Sequence, residues 1–176
     1  MSNNVIVLIT AVIFILILWT IISYRHLSFL RKSILGKWEK IDDDLRKRND
    51  LIPNLIETFR KFFSDKEGLI EELIKARQSA CKEYFLGIKK IEYEYNVSKK
   101  IVEIFRIADN SGEMIKDTNF LELKKEIFDL NQNIENISKL YNDMVRVYNK
   151  HRALPVLKLV AVIFGFKRID IFEFGS

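Results

Sequence analysis

The stretch from Val5 to Ile22, VIVLITAVIFILILWTII, runs for eighteen residues without a charge. Its only polar side chains are the hydroxyls of Thr10 and Thr20. A run of this kind suits the interior of a bilayer, where every backbone amide must be satisfied within the segment and a single segment does so only as a helix. At about 1.5 Å per residue it spans roughly 27 Å, close to the hydrocarbon thickness. Its wealth of Ile and Val is therefore no argument for a strand. Trp19 and Tyr24 stand near its C-terminal end, where amphipathic rings favour the membrane interface. The pattern predicts a transmembrane helix over residues 5–24.

The flanks decide between an anchor and a leader, and they set a direction. Residues 1–4 carry no Lys or Arg, and no small-residue cleavage site follows the apolar run. A cleaved signal peptide needs a basic start and such a site, so an uncleaved anchor is expected. Arg25, Arg31, Lys32, Lys37 and Lys40 come soon after the run. Positive residues are retained on the cytoplasmic side. The expectation is a single-pass cell-membrane protein, with residues 1–4 outside and residues 25–176 forming a cytoplasmic domain.

That domain reads as all-α. Six Gly and two Pro in 176 residues are too few breaks for a multi-stranded sheet. Leu27, Leu30, Ile34, Trp38, Ile41, Leu45 and Ile52 recur at helical steps, and the register leaves Arg48 on the same stripe. Only Gly36 punctuates this stretch before Pro53, so the anchor is expected to run on into the first soluble helix. Pro53 lacks an amide hydrogen and should kink that helix near Asn49. Ser64 to Glu67 reads as a turn with Ser64 or Asp65 as the next N-cap. A second helix carries Leu69, Leu73, Ala76, Ala80, Tyr84, Ile88, Ile91 and Tyr95, and either bends near Asn96 or continues to Ala108. Cys81, the one cysteine, falls on this apolar stripe and reads as a small core residue. Asp109 to Gly112 is a loop, and Thr118 is the expected cap of the last long helix. There Phe120, Leu123, Ile127, Leu130, Ile134, Ile137, Tyr141, Met144 and Tyr148 form a heptad seam. The seam must be buried, either by the chain's other helices in an antiparallel bundle or by a second copy in a homo-oligomeric coiled coil. Pro155 ends this helix. Residues 156–164 are apolar but too short to span a bilayer. They form a short helix that caps the bundle, or a segment against the membrane surface. The aromatic tail from Gly165 reads as irregular.

Chemistry is not signalled. His26 and His151 lack the Glu-x-x-His spacing of a di-iron bundle. Three Cys and His residues scattered over the chain do not make a zinc site. No phosphate-binding glycine loop and no nucleophile elbow is present. Asp42, Asp43 and Asp44 point about 100° apart on a helix and read, with Lys40 and Arg46, as a solvated face. The net charge of +5 clusters after the anchor, which a membrane explains better than nucleic acid. No cofactor, metal or catalytic residue is expected.

One polar cluster stands out. Arg46, Arg48 and Asp50 precede Pro53 and Asn54, and Arg77 sits close to the apolar face of the second helix. Charges that near a core need partners, for which Asp50, Asn54, Asn142 and Asn149 are the candidates. Such a cluster is either a buried network that fixes helix register or a recognition patch for another protein.

These residues also carry a family resemblance. The anchor, then RKRNDLIPNLIETF at 46–59, Ala76-Arg77, Lys116 with Phe120, the pairs Tyr141-Asn142 and Tyr148-Asn149, then Pro155, Phe164-Gly165-Phe166 and Phe172 occur in the order of the LemA family of bacterial membrane proteins. The likeness covers essentially the whole chain. It departs at Ser138, where the family usually has arginine, and at 109–114, which lacks the usual tyrosine–proline. The resemblance implies long antiparallel helices with the N-terminus outside and the domain inside, and it brings no enzymatic activity with it. The expected function is that of a membrane-anchored scaffold for an unidentified membrane-associated protein. The alternative is a protein that binds or remodels the lipid surface through its basic juxtamembrane stretch and residues 156–166.

Overall fold

The computed structural model describes residues 3–82 and 88–174. Helix α1 spans Asn3–Phe62, α2 Glu67–Lys82, α3 Ile88–Asp109, α4 Thr118–Ala153 and α5 Pro155–Ile163. Short 3-10 turns at Ser64–Lys66 and Met114–Lys116 introduce α2 and α4. No strand occurs among the described residues. Helix α1 passes through both Gly36 and Pro53 without a break. Helix α3 likewise passes through Asn96 unbroken.

The chain divides into two compact units. The first comprises Met1–Gly36 with Asn142–Ile171, and the second Lys37–Tyr141 with Phe172–Ser176.

In the second unit α1 runs antiparallel to α4. Trp38 meets Tyr141, Asp44 meets Asn133, and Arg48 meets Asn131. Helix α2 returns along α1, with Arg60 paired to Glu67 and Arg77 bonded to Asn49. Helix α3 runs parallel to α1, since Asp42 bonds Lys90 and Arg48 bonds Glu94. The core is a continuous cluster that includes Ile52, Leu55, Phe59, Ile70, Leu73, Val97, Ile101, Ile104, Met114, Phe120 and Ile127. Burying side chains of this size contributes about 1.5–3 kcal/mol each. The first unit buries Leu27, Ile34, Val145, Tyr148, Val160, Ala161 and Phe166.

Several expectations need correction. Glu67–Lys82 and Ile88–Asp109 are separate helices that pack on one another, where one long helix was the expectation. Tyr84 and Phe85 lie outside the described residues. Cys81 is exposed, because Ala80, one residue earlier on α2, takes the buried position. The first half of α3 is rotated from the expected face: Lys90, Glu94 and Val97 are buried and Tyr95 is half exposed, whereas Ile101 and Ala108 further along are buried. The cap of α4 is Asp117, not Thr118, since the Asp117 carboxylate accepts the Phe120 amide at 2.8 Å. This bond satisfies one of the helix's orphan donors. Before α2, Ser64 and Asp65 belong to the 3-10 turn itself, whose N-cap Phe63 makes no side-chain cap bond.

The α4 seam is one-sided. Phe120, Ile127, Ile134, Tyr141 and Tyr148, seven residues apart, are buried, whereas Leu123, Leu130, Ile137 and Met144 are half-buried. Ser138 and Val145 complete the buried stripe. The Ser138 hydroxyl donates to the Ile134 carbonyl at 2.6 Å, so the position is satisfied without an arginine.

Candidate functional site

Arg48 sits on the buried stripe of α1 at 0% exposure. Its Nη2 donates to Glu94 Oε2 at 2.7 Å, and its Nη1 donates to Ser98 Oγ at 2.8 Å and to Asn131 Oδ1 at 3.1 Å. The guanidinium also lies 5.2 Å from the ring centre of Phe174. One arginine thus ties together α1, α3, α4 and the tail. Glu94 is 1% exposed and takes a second bond from Asn49 Nδ2 at 3.3 Å. Lys90 is 4.0 Å from Glu94 and bonds Asp42 at 2.9 Å. Burial pushes the Arg48 guanidinium below its ordinary value, opposed by the charge and hydrogen bond of Glu94. Burial pulls Asp42 up, but its bonds to Lys90 and Arg46 outweigh this and hold it below the usual carboxylate value.

The proline motif has its own physical logic. Pro53 has no amide hydrogen, so the Asn49 carbonyl one turn back loses its helical donor. Arg77 supplies the missing bond from α2, donating from Nε to that carbonyl at 2.7 Å. Its Nη2 lies 3.9 Å from Asp50. Asn49-Asp50, Pro53 and Arg77 therefore act as one joint between α1 and α2.

Asp50, one of the four expected partners, does meet one of the two arginines, Arg77. Arg48 binds Glu94, Ser98 and Asn131, and none of the four candidates drawn from the sequence. Asn54 is exposed and lines an open polar groove with Glu57, Thr58 and Glu126. Arg46 is exposed and pairs with Asp42 at 2.7 Å. The acidic run is not a solvated face either. Only Asp43 is exposed; Asp44 is buried and accepts from Asn133 at 2.5 Å. Glu94 was the residue missed. It lies three residues before Val97 and seven before Ile101, the spacing of one helix face, and that spacing was the available signal.

The first unit holds a second set of polar contacts. The Tyr148 hydroxyl donates to the Lys167 carbonyl at 2.9 Å. Asn149 pairs with Ile169 in both directions, donating to its carbonyl at 2.7 Å and accepting from its amide at 3.2 Å. Arg152 Nε donates to the Phe166 carbonyl at 2.6 Å. The end of α4 thereby fastens the backbone of residues 166–169. Burial pushes the Tyr148 phenol up, against the opposing pull of Arg31 and Arg152. Pro155 occupies the first turn of α5, where its missing donor costs nothing. Gly165, at φ +68°, ends α5. The Phe166 amide bonds the Ala161 carbonyl at 2.9 Å and the Gly165 amide bonds the Val162 carbonyl at 3.4 Å. This is a Schellman cap, which requires the left-handed residue that glycine supplies. His26 and His151 also meet here, Nε2 to Nδ1 at 2.8 Å. Among the described residues no three His, Cys, Asp or Glu side chains converge as metal ligands would.

In the second unit Tyr141 packs against Trp38, with ring centres 5.9 Å apart, and Trp38 meets Phe172 edge-on at 5.4 Å. The arginine node, the proline joint, the tyrosine–asparagine pair and the glycine turn thus each have a structural partner.

The LemA family profile matches residues 37–176. The chain belongs to the LemA family. A search of curated proteins finds no match. The match to the LemA family takes in α2 to α5, the tail and α1 from Lys37 onward. Ahead of it lies the apolar part of α1, the one described helix long and apolar enough to cross a membrane, with a mean hydropathy of 3.2 over its best window and none of that window buried.

Proposed function

We propose that this LemA-family chain is a non-enzymatic, membrane-anchored interaction protein. Val5–Ile22 would span the cell membrane and residues 25–176 would lie on its cytoplasmic side, holding a membrane-associated protein. The observation that carries this reading is the contrast between the chain's two most distinctive features. No residue of the apolar span is buried, and hydrocarbon is the surrounding that suits it. The charged node is sealed, with Arg48 at 0% and Glu94 at 1% exposure, so no substrate reaches its charges. A buried pair of this kind sets helix register. It leaves the outer surface of the bundle as the part available to a partner.

The test is photo-crosslinking in cells from exposed bundle positions, followed by affinity capture of the full chain from solubilised membranes. The expected result is one membrane-associated protein recovered repeatedly. Recovery of only a second copy of this chain would instead favour a homo-oligomer. Absence of any reproducible adduct would contradict the proposal.

A further inference from the structure

Helix α5 is apolar around most of its circumference. Val160 and Ala161 are buried at 1% and 4%, whereas Val156, Leu159, Val162 and Ile163 are 60%, 60%, 72% and 65% exposed. At about 100° per residue these four exposed residues fall on one side of the helix, with Ala161 on the far side and Val160 at the edge between them. A helix at a protein–water boundary has one apolar face, and one that is apolar all round is covered on both sides. The unit containing α5 covers only one. The position of α5 indicates what covers the other. Tyr24, just past the end of the apolar span, has its ring 5.0 Å from Phe164 and 5.6 Å from Phe166. The C-terminal end of α5 is therefore level with the end of the span. Exposed basic residues accompany it in the same unit: Lys158 lies on α5 itself, Lys167 and Arg168 follow it, and Arg25 and Lys32 come soon after the span on α1. Exposed apolar residues with basic neighbours suit the boundary of anionic headgroups and acyl chains.

We propose that α5 is an interfacial helix, seated in the headgroup layer of the bilayer that α1 crosses, with Val156, Leu159, Val162 and Ile163 against the acyl chains. The inference rests on the anchoring reading above. Interfacial helices bury their apolar face about 5–10 Å deep, a depth compatible with a helix that begins and ends on the same side of the membrane.

The full chain carrying Cys81→Ser and Val162→Cys, labelled with an environment-sensitive fluorophore, is reconstituted into phosphatidylethanolamine–phosphatidylglycerol vesicles. Quenching is measured with doxyl lipids substituted near the headgroup and with aqueous iodide. A parallel sample carries the label at Ile13→Cys. The expected result is loss of emission at Val162 with the shallow doxyl lipid, shielding from iodide, and loss of emission at Ile13 with doxyl lipids. Quenching at Ile13 but free access of iodide to Val162 would overturn the interfacial helix and leave the anchor standing. Protection of Val162 from both quenchers would mean that protein covers the face, and would overturn the proposal equally. No lipid quenching at Ile13 would overturn the anchor, and with it this inference.

Discussion

Arg77 is the residue on which the proline motif turns. Its bond to the Asn49 carbonyl replaces the one that Pro53 withholds. Replacing Arg77 with Ala is expected to cost about 1.5–3 kcal/mol, the scale of a hydrogen bond from a charged donor. In a Pro53→Ala background the cost should shrink, because residue 53 then donates to the same carbonyl. Urea unfolding of the four proteins of this double-mutant cycle gives the coupling directly. The Arg48–Glu94 pair behaves differently. Removing either partner alone strands a buried charge, so Arg48→Leu and Glu94→Leu are each expected to destabilise by about 3–5 kcal/mol. The double variant should lose much less than the sum, since no charge is then left unpaired; an additive result would contradict the pairing. Asp42 is the residue to watch with pH. Its folded pKa is depressed, so the stability it contributes is present above the unfolded value, about 3.9, and is lost as pH falls below it. Thermal unfolding followed by helical circular dichroism should show this loss in the native chain, and a smaller one in Asp42→Asn. At this scale Arg48 was legible in the sequence and its partners were not. An arginine on an apolar stripe announces a buried charge. Glu94 was hidden because Ile91 and Tyr95 beside it looked like better core residues. The true α3 face carries Lys90 and Glu94, both almost wholly buried.

The helices were more legible than their joints. The periodicity of α1 and α4 predicted continuous helices, and both are continuous, because a seam repeated over many turns leaves the chain no competing pattern. Breaks were harder to place where polar residues are common. Asp117, not Thr118, caps α4, since both are good caps and local geometry chose between them. Cys81 has apolar neighbours and yet is exposed, because a one-residue step on a helix turns a side chain to a different face. The clearest element-scale prediction concerns the end of α5. Gly165 at φ +68° accepts a Cβ only with strain of about 1–2 kcal/mol. No atom stands within 4 Å of where that Cβ would go, so backbone strain alone is at issue. Gly165→Ala is expected to speed amide hydrogen exchange at Phe166 and Ile169, whose amides depend on the turn and on Asn149. Unchanged exchange there would show that the tail is held without the cap.

At the scale of the whole molecule, the family's recognisable residues serve mainly to hold helices and tail together. The proline joint ties α1 to α2, the arginine node ties α1 to α3 and α4, and the tyrosine–asparagine pair fastens the tail. The sequence showed that these residues belong together, but not which met which, because pairings across helices depend on rotation and register that no single helix encodes. The proposed function rests on the part of the chain ahead of the family match, the apolar start of α1. Its orientation is therefore the central claim, and cysteine accessibility in intact cells tests it most directly. Cys81 is native and exposed, and Asn4→Cys in a Cys81→Ser background places a thiol before the span. A membrane-impermeant maleimide should label the Asn4→Cys chain in intact cells and reach Cys81 of the native chain only after permeabilisation. Labelling of Cys81 in intact cells would contradict the account.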